Sequence, residues 1–151
     1  MKRRMNVAEA MPGLYSAVRE LDLAVRRSGI DPYLLHLVKV RASQINHCAY
    51  CVDLHVKESL ADGISAQKLH VLCVWRESPL FSECERAALE WTESVTLVAE
   101  THIPDAAWDM VRGVFSDEEI GQLTLAIGTI NIWNRIAVSS RMLHPVDDAS
   151  N

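Results

Sequence analysis

Apolar residues recur every three or four positions along nearly the whole chain, and the alternation that marks a half-buried strand is almost absent. That periodicity predicts an all-α fold. Pro12 opens a segment carrying Leu14, Val18, Leu21 and Val25, which ends near Gly29, a residue suited to the position after a helix. Asp31-Pro32 supplies an N-cap and a first-turn proline, predicting a helix over 32–45 with Leu34, Leu35, Leu37, Val38 and Ile45 as core candidates. A third helix is predicted from about Cys48 to Asp62, capped by Asn46 and stopped by Gly63. A fourth runs from Ser65 through Leu69 and Leu72 towards Trp75, before the Ser78-Pro79 turn.

Two capping-box patterns mark the later starts, Ser82-x-x-Glu85 and Ser116-x-x-Glu119. The first leads a stripe of Ala88, Trp91, Val95 and Val98, and the second opens the last long helix, to about Met142. Between them, after Ile103-Pro104-Asp105, a shorter helix carries Trp108, Val111 and Val114. A helical bundle of about six to seven helices follows, as one domain over residues 1–151 with no linker or repeat to divide it.

Composition narrows the function. A net charge of −5 argues against a nucleic-acid partner, which would select for basic excess. No membrane association is expected. The longest uncharged stretch, Ile120 to Asn134, is too short to span a bilayer, and Asn6 and Glu9 interrupt the segment where a signal peptide would need apolar residues. A cytoplasmic, reducing setting is therefore expected. Four cysteines are too few for a disulfide scaffold, and in that setting a Cys-x-x-Cys pair points to redox or metal chemistry.

Cys48, Cys51 and His55 fall three and four residues apart, so on a helix they share one face. Cysteines one turn apart have Cα atoms roughly 5–6 Å from each other, within reach of a disulfide. A helix N-terminus favours thiolate over thiol, and His55 can accept a thiol proton or stabilise the anion, lowering the pKa from its free value of about 8.5. Three other readings stand beside this one. A zinc site would need a fourth ligand, and no second Cys-x-x-Cys or His-x-x-x-His exists, so no metal is expected. The cysteines can also be plain buried packing residues, the reading given to Cys73 and Cys84. A thioredoxin fold would place strands around the motif, and none is predicted.

The stretch Val40-Arg41-Ala42-Ser43-Gln44-Ile45-Asn46-His47-Cys48-Ala49-Tyr50-Cys51-Val52-Asp53-Leu54-His55 resembles the core motif of the alkylhydroperoxidase D-like, carboxymuconolactone decarboxylase superfamily. Ile130-Asn131-Ile132-Trp133-Asn134-Arg135-Ile136-Ala137 resembles its closing helix. The resemblance implies an AhpD-like helical subunit assembling into trimers or hexamers, and an antioxidant thiol peroxidase that reduces hydroperoxides or relays electrons to a partner peroxidase. By motif position it makes Cys51 the attacking thiolate, Cys48 the resolving thiol and His55 part of a proton relay. The family's relay glutamate, twelve residues before the first cysteine, is replaced here by His36. Neutral, His36 can accept a proton as a carboxylate does; charged, it would depress the pKa of His55. A core role for His36 is equally open.

No cofactor is expected, and the implied partners are a hydroperoxide and a dithiol reductant such as a lipoyl-bearing protein. Two rival functions remain: a non-catalytic oligomeric redox sensor or adaptor, and a decarboxylase acting on a small carboxylated lactone. The decarboxylase branch lacks the cysteine pair. Among other residues, His47 is a further relay candidate or a solvated entrance residue. Arg41, Gln44 and Asn46 are read as securing the turn into the cysteine helix, with a substrate channel as the alternative. Trp75, Trp91, Trp108 and Trp133 are read as core or subunit contacts, and Glu83, Glu85, Glu90 and Glu93 as a solvated face.

Overall fold

The computed structural model describes residues 2–146, among which every regular element is helical. The order is α1 (Val7–Ala10), α2 (Pro12–Arg26), α3 (Pro32–Ile45), α4 (Ala49–Ala61), α5 (Ala66–His70), a 3₁₀ segment (Leu72–Glu77), α6 (Glu83–Thr96), α7 (Val98–Thr101), α8 (Asp105–Arg112) and α9 (Asp117–Ser140). The predicted seven helices are all present. The predicted fourth is divided between α5 and the 3₁₀ segment, and two four-residue helices, α1 and α7, are additional. Cap chemistry explains why the starts were readable: Asp31 accepts the Tyr33 and Leu34 N–H groups, and both capping boxes close in both directions.

α3 is the central helix. It packs on α4, α6 and α9, and its apolar residues serve two clusters on opposite sides. Leu34, Leu35 and Val38 meet Ala88 and Trp91 of α6 and Leu123 and Ile127 of α9. Leu37 and Val40 meet Ile64, Leu69, Leu72, Trp75, Phe81 and Leu89. Truncating a fully buried member such as Leu37, Leu72 or Leu89 to Ala costs about 2–5 kcal/mol. By contrast, α2 buries only Val25, and Leu14, Leu21 and Leu23 stay exposed along it.

Several expectations fail on their surroundings. Cys73 and Cys84 are exposed, not core: Cys84 lies in the first turn of α6, whose buried face is set by Ala87, Ala88 and Trp91. Val98 falls beyond the end of α6 and is exposed. Glu93 is no solvated residue, because it accepts from Arg41 Nε at 2.7 Å, Trp75 Nε1 at 2.8 Å and Arg76 Nη1 at 2.6 Å. Burial opposes its ionisation, yet these hydrogen bonds hold its carboxyl below the usual range. Through it α3, α6 and the 3₁₀ segment are tied together.

Candidate active site

The turn between α3 and α4 sets the cysteines. α3 ends at Ile45, and Asn46 does not cap α4 but reaches across to Asn131 and Asn134 of α9, at 2.7 and 2.9 Å. His47 is exposed and takes a left-handed backbone, φ 51°, which turns the chain sharply before α4. The N-cap is then Cys48 itself, whose Sγ accepts the Cys51 N–H at 3.3 Å. Both thiols are free and buried, and they pack with Ala137 of α9 against Tyr50 and Met142.

The two sulfurs are not equivalent. Cys48 is held down to about 7 by the Cys51 thiol donating to it, with burial opposing and the Cys51 backbone N–H and the Asn134 amide assisting. Cys51 is pushed up by that same hydrogen bond, by burial and by the adjacent Cys48 charge, and Asn134 only partly offsets this. The pair therefore holds one proton between two sulfurs in the neutral range, with the resting anion on Cys48. The lowered sulfur is Cys48, and the chief cause is the Cys51 thiol, with the backbone N–H of the helix N-terminus assisting; His55 is not among the causes.

Asn134 is 1% exposed, touches both sulfurs and donates to Ser43 Oγ at 3.0 Å. Sequence reasoning placed it in the closing-helix motif without giving it a role. A polar residue on a buried helix face was the available signal.

His55 is buried one turn beyond Cys51, and its Nδ1 meets Glu58 Oε2 at 2.8 Å. Its other ring nitrogen, Nε2, is the one left for the cavity. Glu58 is held below the ordinary carboxylate range, chiefly by the hydrogen bond from His55, against burial, with help from the charges of Arg26 and Lys39. Behind it, Asp22 binds Lys39 Nζ and Arg26 Nε, both at 2.8 Å, and Arg26 lies 3.8 Å from Glu58. His36 stands apart from this relay. Its Nε2 pairs with Asp62 at 2.7 Å, and its buried Nδ1 has no partner. The glutamate that touches His55 is therefore supplied by α4 itself, at a spacing of i, i+3 that the sequence already contained.

Cys51, His55 and Glu58 line a cavity of about 440 Å³ between α2, α4 and α9. Tyr15, Tyr50, Leu23, Leu54, Trp133 and Ile136 supply its apolar walls, with Tyr15 edge-on to Trp133 at 5.2 Å between ring centroids. Trp133 is thus a wall of the site. Cys48 is 1% exposed and lies behind Cys51. Among the described residues no cluster of three or more His, Cys, Asp or Glu side chains is arranged to hold a metal ion. No helix among them is long and apolar enough to cross a membrane.

Residues 12–94, from the start of α2 into α6 and so including both cysteines, match the family model of the carboxymuconolactone decarboxylase family. The chain belongs to that family. It is 32% identical over 139 residues to the uncharacterized protein YdfG of Bacillus subtilis, covering 92% of this chain and 95% of that one. It superposes with a TM-score of 0.95 and 53% identity on the crystal structure of an Agrobacterium tumefaciens protein of unknown function, described provisionally as the antioxidant defence protein AhpD, over 97% of this chain and all of that one. The debrominase Bmp8, 18% identical, shares the fold with a TM-score of 0.81 over 89% of this chain and 73% of its own. This is a carboxymuconolactone decarboxylase family member with an AhpD-like fold.

Proposed function

We propose that this family member is a thiol-dependent hydroperoxide reductase in which Cys51 is the attacking sulfur, Cys48 the resolving one and His55 the proton donor. The observation that carries the reading is the position of Cys51: it faces a cavity with apolar walls beside a histidine oriented by a carboxylate, with a second sulfur directly behind it. The resting anion on Cys48 acts as the local base. Passing the Cys51 proton to Cys48 generates the Cys51 thiolate where a peroxide can reach it. That sulfur attacks the terminal oxygen of the hydroperoxide, the O–O bond breaks, and the leaving alkoxide takes a proton from His55. The resulting Cys51 sulfenic acid condenses with the Cys48 thiol to a disulfide, releasing water. An external dithiol returns two electrons and two protons by exchange through a mixed disulfide.

Glu58 has the place in this scheme that the sequence resemblance reserved for the residue at position 36. It holds Nδ1 and so fixes the ring of His55, leaving Nε2 for the cavity. The reductant belongs to the dithiol class, such as a lipoyl-bearing protein, and the reduced pair can pass its electrons on to a partner peroxidase, in a cytoplasmic setting. Self-association into a trimer or hexamer is part of the same proposal, and the exposed Leu14 and Leu21 on α2 are consistent with it.

Steady-state consumption of cumene hydroperoxide with excess dithiothreitol tests the reading. Cys51→Ser abolishes turnover, and Glu58→Gln lowers kcat by about tenfold or more, the usual scale for a misplaced acid-base group. Turnover retained in the Cys51 variant would overturn it.

A further inference from the structure

The cavity above Cys51 contains one charge that nothing balances. Tyr15, Arg19, Asp22, Leu23 and Arg26 recur at three- and four-residue spacing along α2, so one face of this helix forms the wall opposite α4. Four of the charged groups in and behind that wall neutralise one another: Asp22 binds Lys39 and Arg26, and Arg26 in turn lies beside Glu58. Arg19 takes no part. Among the described residues no carboxylate, carbonyl or aromatic ring pairs with its guanidinium, although Asp22 stands only three positions away.

An unpaired guanidinium at the mouth of a cavity with apolar walls is a recognition element for a carboxylate, because it presents two parallel N–H donors matched to its oxygens. The rest of the molecule makes the point sharper. The chain carries a net charge of −5, and the reactive sulfur is used as an anion, so a negatively charged substrate is repelled unless a local cation receives it. The walls meanwhile suit an aromatic or branched alkyl body, and about 440 Å³ suits a molecule of modest organic size, far larger than hydrogen peroxide.

We propose that the cavity selects an organic hydroperoxide that also carries a carboxylate, with the carboxylate on Arg19, the apolar body between Tyr15, Leu54 and Trp133, and the hydroperoxide group on Cys51. This rests on the peroxidase reading above and adds the substrate class to it. The chemical step is unchanged: the terminal oxygen passes to Cys51, the alkoxide leaves as the alcohol, and the external dithiol supplies the electrons. Arg19 binds the remote anion and takes no part in bond making.

The test compares cumene hydroperoxide with its para-carboxylate, using excess dithiothreitol. The native protein favours the acid in kcat/KM, with the difference in KM, and added salt reduces that preference. In Arg19→Gln the ratio of the two kcat/KM values falls by about tenfold, the scale of a lost hydrogen bond to a charged group. A native protein with no preference for the acid, or a ratio unmoved by Arg19→Gln, overturns the proposal. Should neither hydroperoxide be consumed, the peroxidase reading fails, and binding of unreactive 4-isopropylbenzoate, followed by isothermal titration calorimetry, decides the carboxylate site alone. Saturable binding weakened in Arg19→Gln supports it. Absence of binding, or binding indifferent to the substitution, overturns it.

Discussion

At neutral pH an ordinary thiol is mostly protonated, so what distinguishes Cys48 is that its sulfur sits on a helix N-terminus and receives two hydrogen bonds from Cys51. Titrating the reduced protein by thiolate absorbance gives a first step with a midpoint near 7, which Cys48→Ser removes; the absence of any step below the free value of about 8.5 would contradict this. The sign for stability follows. Below pH 7 the folded and unfolded chains both keep the Cys48 proton; between 7 and 9.0 only the folded chain loses it, so this sulfur adds stability as pH rises. Above that, the raised Cys51 acts the other way, since the unfolded chain ionises there first. Residue-scale chemistry was only partly legible in the sequence. The spacing of Cys48, Cys51 and His55 is local and was readable, whereas the partition of one proton between two sulfurs depends on which of them becomes the N-cap. Glu58 is readable in principle, three residues after His55, but the family position falls on His36, which the fold pairs with Asp62.

Elements whose limits are written locally were recovered well. Asp31-Pro32 and the two Ser-x-x-Glu boxes each carry their own hydrogen-bond acceptors, so no tertiary knowledge is needed to place α3, α6 and α9. Asn46 shows the opposite case. Its type suits a cap, but two asparagines 85 and 88 positions away on α9 compete successfully for its amide. The turn it leaves behind places a histidine at φ 51°, a conformation that costs a side-chain-bearing residue about 1–2 kcal/mol. His47→Gly is therefore expected to stabilise the chain, by roughly 0.5–1 kcal/mol after glycine's own entropic cost, read as a raised midpoint in denaturant. A lowered midpoint would show that the His47 side chain contributes more than its backbone strain removes. Glu93 failed for the same reason as Asn46. Its own helix gives it a solvated pattern, but its partners come from elsewhere in the chain, Arg41 lying 52 positions earlier.

For the whole molecule, a buried central helix with apolar residues serving two clusters gives the subunit its core without α2, which contributes little to it. Yet α2 forms one wall of the cavity and leaves Leu14 and Leu21 in solvent. Exposed apolar groups along such a helix are a natural surface for a second copy. Sedimentation equilibrium on the native protein is expected to show a trimer or hexamer, and Leu14→Asp with Leu21→Asp to shift it towards smaller species; a native monomer would contradict the proposed assembly. The all-helical class was legible because it depends on periodicity alone. The placement of α2 over the cysteines was not, because it depends on Asp22 reaching Lys39 and Tyr15 reaching Trp133, pairs that no local pattern announces.

The claim on which the account turns is that hydroperoxide oxidises Cys51 and that Cys48 then closes the disulfide. The most direct measurement is to treat the reduced protein with one equivalent of cumene hydroperoxide and locate the oxidised sulfurs by peptide mass mapping. The native chain should lose two hydrogens and join Cys48 to Cys51, Cys48→Ser should gain a single oxygen on Cys51, and Cys51→Ser should remain reduced at Cys48. Oxidation at Cys48 in the Cys51 variant, or an unreactive native chain, would contradict it.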